Sequence, residues 1–314
     1  MSFSRVVALL ACAALVGCAT TPPPAPAKAP EPPNPEVVAL HFGWKPGMKA
    51  TVETRNERVN GPRTQETTVR ASLVVQQVAD GLALTSPEVE VEGGVELPGM
   101  KDLTAAAAKA HLIVDADGKP VRVEGIEELK QAVDAFLAAT PAPPAAVESL
   151  KASMSRQAIE AKEFDSWNQL VGFWNGGELK LGATYELPPQ PTQAANGATF
   201  EMSMRYGAKE RVPCTEGSTE SRCVLLEAVS TPEPKSLEVA MSAFLGPLLQ
   251  SLVAQRIESS GMSMSTTFTV IAEPDTLVPH RFEWSRILRM NLRLPNGEEH
   301  PFESRDSVVR TYTW

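Results

Sequence analysis

The chain has 314 residues, with 29 Lys+Arg against 38 Asp+Glu and a formal net charge of −9. An acidic chain with no run of Lys or Arg is a poor match to a phosphate backbone, so nucleic-acid binding is excluded as a working reading. At 43% hydrophobic and 21% charged residues, the composition is that of a folded globular protein and excludes disorder throughout.

Arg5 is the only charge in the first 27 residues, and it precedes an apolar run from Val6 to Leu15. That run is too short to span a hydrocarbon core of about 30 Å, so it reads as a secretory signal rather than a membrane helix. It ends in Leu15-Val16-Gly17-Cys18, which resembles the lipobox of bacterial lipoproteins: aliphatic, small, small, then Cys. The resemblance implies a signal peptide over residues 1–17, cleavage before Cys18, a diacylglyceryl thioether on the Cys18 sulfur and usually an N-acyl chain. The membrane is then a partner through covalent lipid, and two or three chains anchor stably at about 0.8 kcal/mol per buried CH₂. In such lipoproteins Asp after the acylated Cys retains the protein at the inner membrane. Ala19 therefore implies the outer membrane, facing the periplasm.

From Pro22 to Pro35 eight of fourteen residues are proline. Such a segment reads as an extended spacer at roughly 3 Å per residue, so residues 18–35 are expected to be a tether and 36–314 a single mixed, β-rich domain. Six Asn-Gly or Asp-Gly pairs punctuate that domain: Asn60-Gly61, Asp80-Gly81, Asp117-Gly118, Asn175-Gly176, Asn196-Gly197 and Asn296-Gly297. These pairs favour tight hairpin turns. Strict alternation puts Phe200, Met202, Met204 and Tyr206 on one strand face. It recurs in Val69/Ala71/Leu73/Val75, in Met262/Met264/Thr266/Phe268/Val270 and in Met290/Leu292/Leu294.

Helical spacing appears in three places. Ile126, Leu129, Val133 and Phe136 form one stripe; Val147 to Trp174 form a second, with a break expected near Asp165; Ser236 is a plausible N-cap for a third, running to Ile257 and kinked at Gly246-Pro247. The expected fold is therefore α+β, a large curved antiparallel sheet of about 10–12 strands packed against two or three helical segments. Lys45-Pro46-Gly47 and Lys180-Leu181-Gly182, each followed by a strand and an Asn-Gly pair, suggest a weak internal repeat near 43–123 and 178–231, that is, two related halves. The lipobox, the Pro-rich spacer and the Gly176–Pro188 entry into the second half resemble β-rich envelope lipoprotein families with no assigned activity.

With Cys12 in the signal and Cys18 acylated, Cys214 and Cys223 remain and are expected to pair as a structural disulfide in an oxidising compartment. His41, His111, His280 and His300 show no zinc spacing, and no nucleophile elbow, Walker loop or dinucleotide fingerprint is present. Neither a metal nor a cofactor is expected. Asp115-Ala116-Asp117-Gly118-Lys119 starts like a calcium loop but reads better as a hairpin turn. Glu88, Glu90 and Glu92 read as a solvated face or a charge-guarded edge. The C-terminal Tyr312 and Trp314 resemble the assembly signal of outer-membrane barrels, but Arg310 on the same face argues against a lipid-facing strand.

Two features point to function. Phe164, Trp167, Phe173 and Trp174 concentrate aromatic area that anchors a helix on the sheet or faces a ligand. Met202, Met204, Met262, Met264 and Met290 all fall on apolar strand faces, where methionine suits variable apolar partners as well as ordinary core packing. A twisted sheet around an apolar helix with such a lining is similar in architecture to lipid-carrying half-barrels of the LolA/LolB type. The expected function is non-enzymatic: binding a lipid, acyl chain or other apolar small molecule in the concave face, with these methionines, Trp167 and Trp174 as candidate ligand contacts. Two alternatives stand beside it. A structural or accessory subunit, with envelope proteins as partners, predicts an exposed apolar patch, and a hydrolase would carry a dispersed site.

Overall fold

The computed structural model describes residues 36–61, 63–93, 100–139, 147–148, 151, 154–193, 199–241 and 257–314. The signal, the tether with Cys18, Asn196-Gly197 and residues 242–256 of the third expected helix, including its Gly246-Pro247 kink, lie outside the described residues.

The expected α+β architecture is present. Its main element is a twelve-stranded, open antiparallel sheet. The first run of strands is β2 (Lys49–Asn60), β3 (Arg63–Val78), β4 (Gly81–Thr85), β5 (Val89–Gly93), β6 (His111–Val114) and β7 (Pro120–Glu124). The second is β9 (Tyr185–Gln193), β10 (Thr199–Val212), β11 (Cys223–Pro232), β12 (Glu258–Ala272), β13 (Pro279–Arg293) and β14 (Glu299–Thr313). In space the order is β7-β6-β4-β3-β2-β14-β13-β12-β11-β10-β9, with β5 beside β3. The last strand of the chain thus lies against the first long one and joins the two runs at the middle of the sheet. A separate two-stranded ribbon pairs β1 (Val37–Ala39) with β8 (Glu178–Lys180).

Four of the five described Asn-Gly and Asp-Gly pairs sit at β-hairpins. Gly61, Gly118 and Gly297 have φ of 54°, 78° and 87°, conformations that a side chain resists. Asn175-Gly176 is different: it ends a helix and leads into β8, and its side chain ties the turn to neighbours, accepting from Phe42 N at 2.9 Å and donating to Asp117 O at 2.7 Å. Pro188, Pro189 and Pro191 all fall on β9, the edge strand, where a missing N–H costs no ladder bond on the open side.

The helical stripe at Ile126 is α2 (Ile126–Ala139), with Ile126, Leu129, Val133 and Phe136 buried. The second stripe differs from expectation. Helix α3 (Arg156–Trp167) starts at Ser155, whose hydroxyl accepts from Ala158 N, runs through Asp165 without a break, and widens into a π-helical turn over Asn168–Gly172. There the Phe173 amide donates to Asn168 O at 2.8 Å, and the extra residue per turn lets Leu170, Val171 and Trp174 all point inward. Helix α1 (Met100–Lys109) had no periodic signal to predict it; its alanine-rich stretch carries high propensity but a thin apolar stripe. The third expected helix begins at Leu237. Ser236 occupies the cap position, but its hydroxyl accepts from Glu201 N on β10 instead of from the helix.

Alternation divides the sheet into two faces. Val52, Leu73, Val75, Tyr312, Phe282, Val270, Leu226 and Ala208 line the inner one and pack with α2, α3 and the Trp174 turn in the main core. A second cluster at the other end of the same face holds Phe200, Met264, Leu288 and Met290 under Ala240 and Met241 of the helical segment that starts at Leu237.

Candidate functional site

The inner face of β2, β3 and β4 does not close fully against α3. Between them lies an open groove of about 280 Å³, lined by Trp44, Val52, Thr54, Ala71, Leu73 and Leu84 on one side and by Trp167 and Leu170 on the other. The aromatic walls are fixed by edge-on contacts: Trp44 meets Trp167 at 5.3 Å and Trp314 at 5.4 Å between ring centroids. Each indole N–H already has an acceptor, Leu277 O for Trp44, Gly118 O for Trp167 and Pro279 O for Trp314. What the rings offer the groove is therefore apolar surface in a fixed orientation.

Polar groups reach the groove at Arg310, Tyr312, His111, Ser166 and Glu163. Arg310 stacks its guanidinium over the Phe282 ring at 5.5 Å. Among the described residues, no carboxylate lies within ion-pair distance of it. Burial pushes the Tyr312 phenol above its ordinary value, with the nearby Arg310 opposing that shift. Further along the same face Arg58 and Arg286 flank Asp306 at 3.4 and 2.6 Å. The inward-facing residues of β2, β13 and β14 therefore carry Arg58, Arg286 and Arg310 against a single carboxylate from these strands, Asp306. An acidic protein thus presents a basic strip between its two inner apolar clusters.

The seven expected ligand contacts divide between these regions. Trp167 lines the groove, and Trp174 packs beside it against Phe173, Tyr206 and Phe268, only 1% exposed. Phe164, Trp167, Phe173 and Trp174 all join the main core, so the aromatic group anchors helix to sheet. Met204 borders that core as well. Met202, Met262, Met264 and Met290 gather in the second cluster, with Met264 and Met290 buried. The residues that do line the groove, Trp44, Leu73, Leu84 and Arg310, come from strands and a loop up to some 260 residues apart. In sequence they are ordinary inward-facing positions, and Arg310 stands out only as a charge on the wrong face for a barrel.

The opposite face is polar. Cys214 and Cys223 form the expected disulfide, closing the loop between β10 and β11 with a Cα–Cα distance of 5.1 Å. That loop overhangs a groove of about 1080 Å³ between it and the outward-facing Thr51, Glu53, Arg55, Thr311 and Thr313. Its arginines are paired, Arg55 and Arg70 to Glu53 and Arg281 to Glu283. The two guanidiniums hold the Glu53 carboxyl below its usual range. The sequence shows no histidine near the two cysteines, yet the fold brings His280 beside them, all three ligating atoms lying within 4.8 Å. The pairing of both sulfurs with each other leaves this a disulfide with a neighbouring imidazole. Glu90 and Glu92 lie on β5 beside β3, and Glu92 pairs with Arg70 at 2.5 Å, as a solvated face does. Asp115 Oδ1 accepts from Asp117 N and Lys119 N, which makes its loop a self-contained hairpin turn.

Among the described residues no helix is long and apolar enough to cross a membrane. Comparison with protein-family models and with curated proteins finds no match. Among solved structures the chain is similar to one described as "Lipid-protein interactions in lipovitellin", at 9% identity and a TM-score of 0.42, over 85% of this chain. The chain spans about a quarter of the length of that structure, 25%.

Proposed function

We propose that the protein is a lipid-anchored envelope lipoprotein whose body binds the apolar part of a small ligand, a lipid or acyl chain, without transforming it. The observation that carries the binding half of this reading is the groove between α3 and the sheet. Apolar side chains stand on both walls, Val52, Leu73 and Leu84 facing Trp167 and Leu170, with polar groups beside them; the groove is open to solvent, and its tryptophans are locked by hydrogen bonds and ring contacts. A volume of about 280 Å³ is just below the range of roughly 300–1,000 Å³ usual for small-molecule sites. Such a space suits one hydrocarbon chain better than a two-chain phospholipid. The large hydrophobics that stand exposed among the described residues are four valines, Val37, Val91, Val121 and Val239, each on a different element. Single exposed valines are ordinary surface, whereas a docking subunit would present a contiguous patch. The anchoring half rests on the Leu15–Cys18 lipobox and the proline-rich tether.

Two experiments test the two halves separately. For binding, a fluorescent fatty acid is titrated into the purified body and displaced with unlabelled chain, and Ala71→Phe is used to fill the groove. Wild type should bind and the variant should lose about tenfold or more, with its melting temperature checked for folding. No fluorescence change on titration, with a melting temperature that added fatty acid leaves unchanged, would refute the binding half. For anchoring, Cys18→Ala should move the protein from the detergent phase to the aqueous phase and abolish metabolic labelling with an alkyne fatty acid. Unchanged labelling would refute that half.

A further inference from the structure

We infer that the groove selects a single-chain amphiphile with an anionic head, held by Arg310; this rests on the proposed binding role of the groove and adds the ligand's charge and orientation. Arg310 is the cation that lines the apolar groove, and it has no carboxylate partner among the described residues. Its neighbours explain why the charge stays in place. The guanidinium is supported from one side by the Phe282 ring at 5.5 Å, and β14 holds it between Thr54 on β2 and Phe282 on β13. A strand in the middle of a twelve-stranded sheet has little freedom to carry the side chain elsewhere.

The surroundings set the direction of binding. On the same face of β14, residue 312 belongs to the apolar groove, while residue 306 pairs with Arg58 and Arg286. Arg310 stands at the boundary between the two. A ligand with its chain between Trp44, Leu73, Leu84 and Trp167 would place its head against Arg310 and toward the basic strip. An anion there gains a charge-assisted hydrogen bond in a partly desolvated site, worth about tenfold or more over a neutral head. The opposing group is Glu163, which lines the groove from α3 and is not in ion-pair contact with Arg310. It disfavours an anion and would favour an amine, so it provides the discriminating control. His111 is held by Glu124 at 3.5 Å and by Lys109 O at 2.8 Å, away from the role of head-group ligand.

The test uses lauric acid, dodecanol and dodecylamine with the body of the protein, measured by displacement of a neutral fluorescent lipid probe. Wild type should bind the acid about tenfold or more tightly than the alcohol. Arg310→Leu should bring the acid-to-alcohol affinity ratio down to about one. Arg310→Lys should restore part of the difference, and Glu163→Gln should tighten the acid. Equal affinity for acid and alcohol, or a preference for the amine that Glu163→Gln removes, would overturn the inference while leaving an apolar groove in place. Binding of none of the three would instead overturn the reading on which it rests. If Arg310→Leu fails to fold, the acid-to-alcohol ratio in wild type and Glu163→Gln still decides.

Discussion

At single residues, backbone freedom and buried charge are the two terms most open to measurement. Gly118 turns the β6–β7 hairpin at φ 78° while its carbonyl accepts the Trp167 indole N–H at 2.7 Å. A Cβ there would sit 2.5 Å from the Phe42 ring. Gly217, in the disulfide loop, has φ 83° but open space around a built Cβ. The two sites separate conformational strain from collision. Gly217→Ala should cost about 1 kcal/mol, the strain of a left-handed non-glycine, and Gly118→Ala about 2–4 kcal/mol, because packing is disturbed as well. Urea denaturation of both variants checks the contrast, and equal losses would show that Phe42 moves aside freely. Asp165 supplies the charge case. Partial desolvation on α3 pushes its carboxyl above the ordinary carboxylate value. An acid whose folded pKa is raised destabilises the fold once it is ionised. Its contribution is neutral below the unfolded pKa, and stability falls as pH rises through the folded pKa. Asp165→Asn should therefore raise the unfolding free energy at pH 7, by less than about 1 kcal/mol for so exposed a group, and the gain should vanish near pH 3 when both are measured by urea denaturation.

Elements show what periodicity can and cannot report. Alternation and Asn-Gly pairs were enough to place β2, β3, β10, β12 and β13 on an antiparallel sheet, because a strand with one wet face writes its period directly into the sequence. The short strands β4 and β6 left weaker traces because four or five successive residues, buried or half-buried, show no alternation, and α1 because its alanine-rich stretch carries only a thin apolar stripe. The expected break near Asp165 and the π turn at Asn168–Gly172 have one cause: a turn of more than 3.6 residues shifts the apolar stripe, and sequence spacing reads the shift as a break. The groove was illegible for another reason. Trp44, Leu84 and Arg310 meet through strand order alone, and order is not encoded in any local window. Element order also bears on the suggested repeat. Both β2-β3-β4 and β9-β10-β11 open after a positive-φ glycine, Gly47 or Gly182, are followed by helix, and then resume with a hairpin; β1 and β8, which precede the two glycines, pair with each other. The disulfide belongs to this scale too. It braces the β10–β11 turn on the outward face, whereas the groove is on the inward face of β2 and β14, since Thr51 and Glu53 line the one and Val52 and Thr54 the other. Replacing Cys214 and Cys223 by Ser together should cost about 2–3 kcal/mol by the loop-entropy model and leave ligand affinity unchanged. Calorimetry with a parallel binding titration checks both, and a loss of affinity would mean that the two faces are coupled.

The whole molecule depends on a junction between distant parts of the chain. β14 pairs with β2 from Thr313↔Thr51 to Ser304↔Asn60, and Ser307 lies within 3.5 Å of Glu57 across 250 residues of sequence. The main core ignores the division into two runs: Val75, Leu82 and Leu112 come from the first and Leu226, Val270 and Phe282 from the second, with Tyr312 between them. Closing a loop of that length costs little more entropy than closing a shorter one, so the junction is affordable at equilibrium, but it forms only when the last strand is available. Removing residues 299–314 would strip β2 and β13 of their shared neighbour and open two unpaired edges at the centre of the sheet. It would also remove Trp314, whose indole donates to Pro279 O at 2.7 Å, and Arg310 from the groove. If the two runs are one cooperative unit, the truncated chain should show no sharp thermal transition by circular dichroism and should bind a hydrophobic dye, while the intact body unfolds in one step. Two separate transitions in the intact body, with one surviving in the truncated chain, would show instead that the two runs fold on their own and that β14 merely docks them.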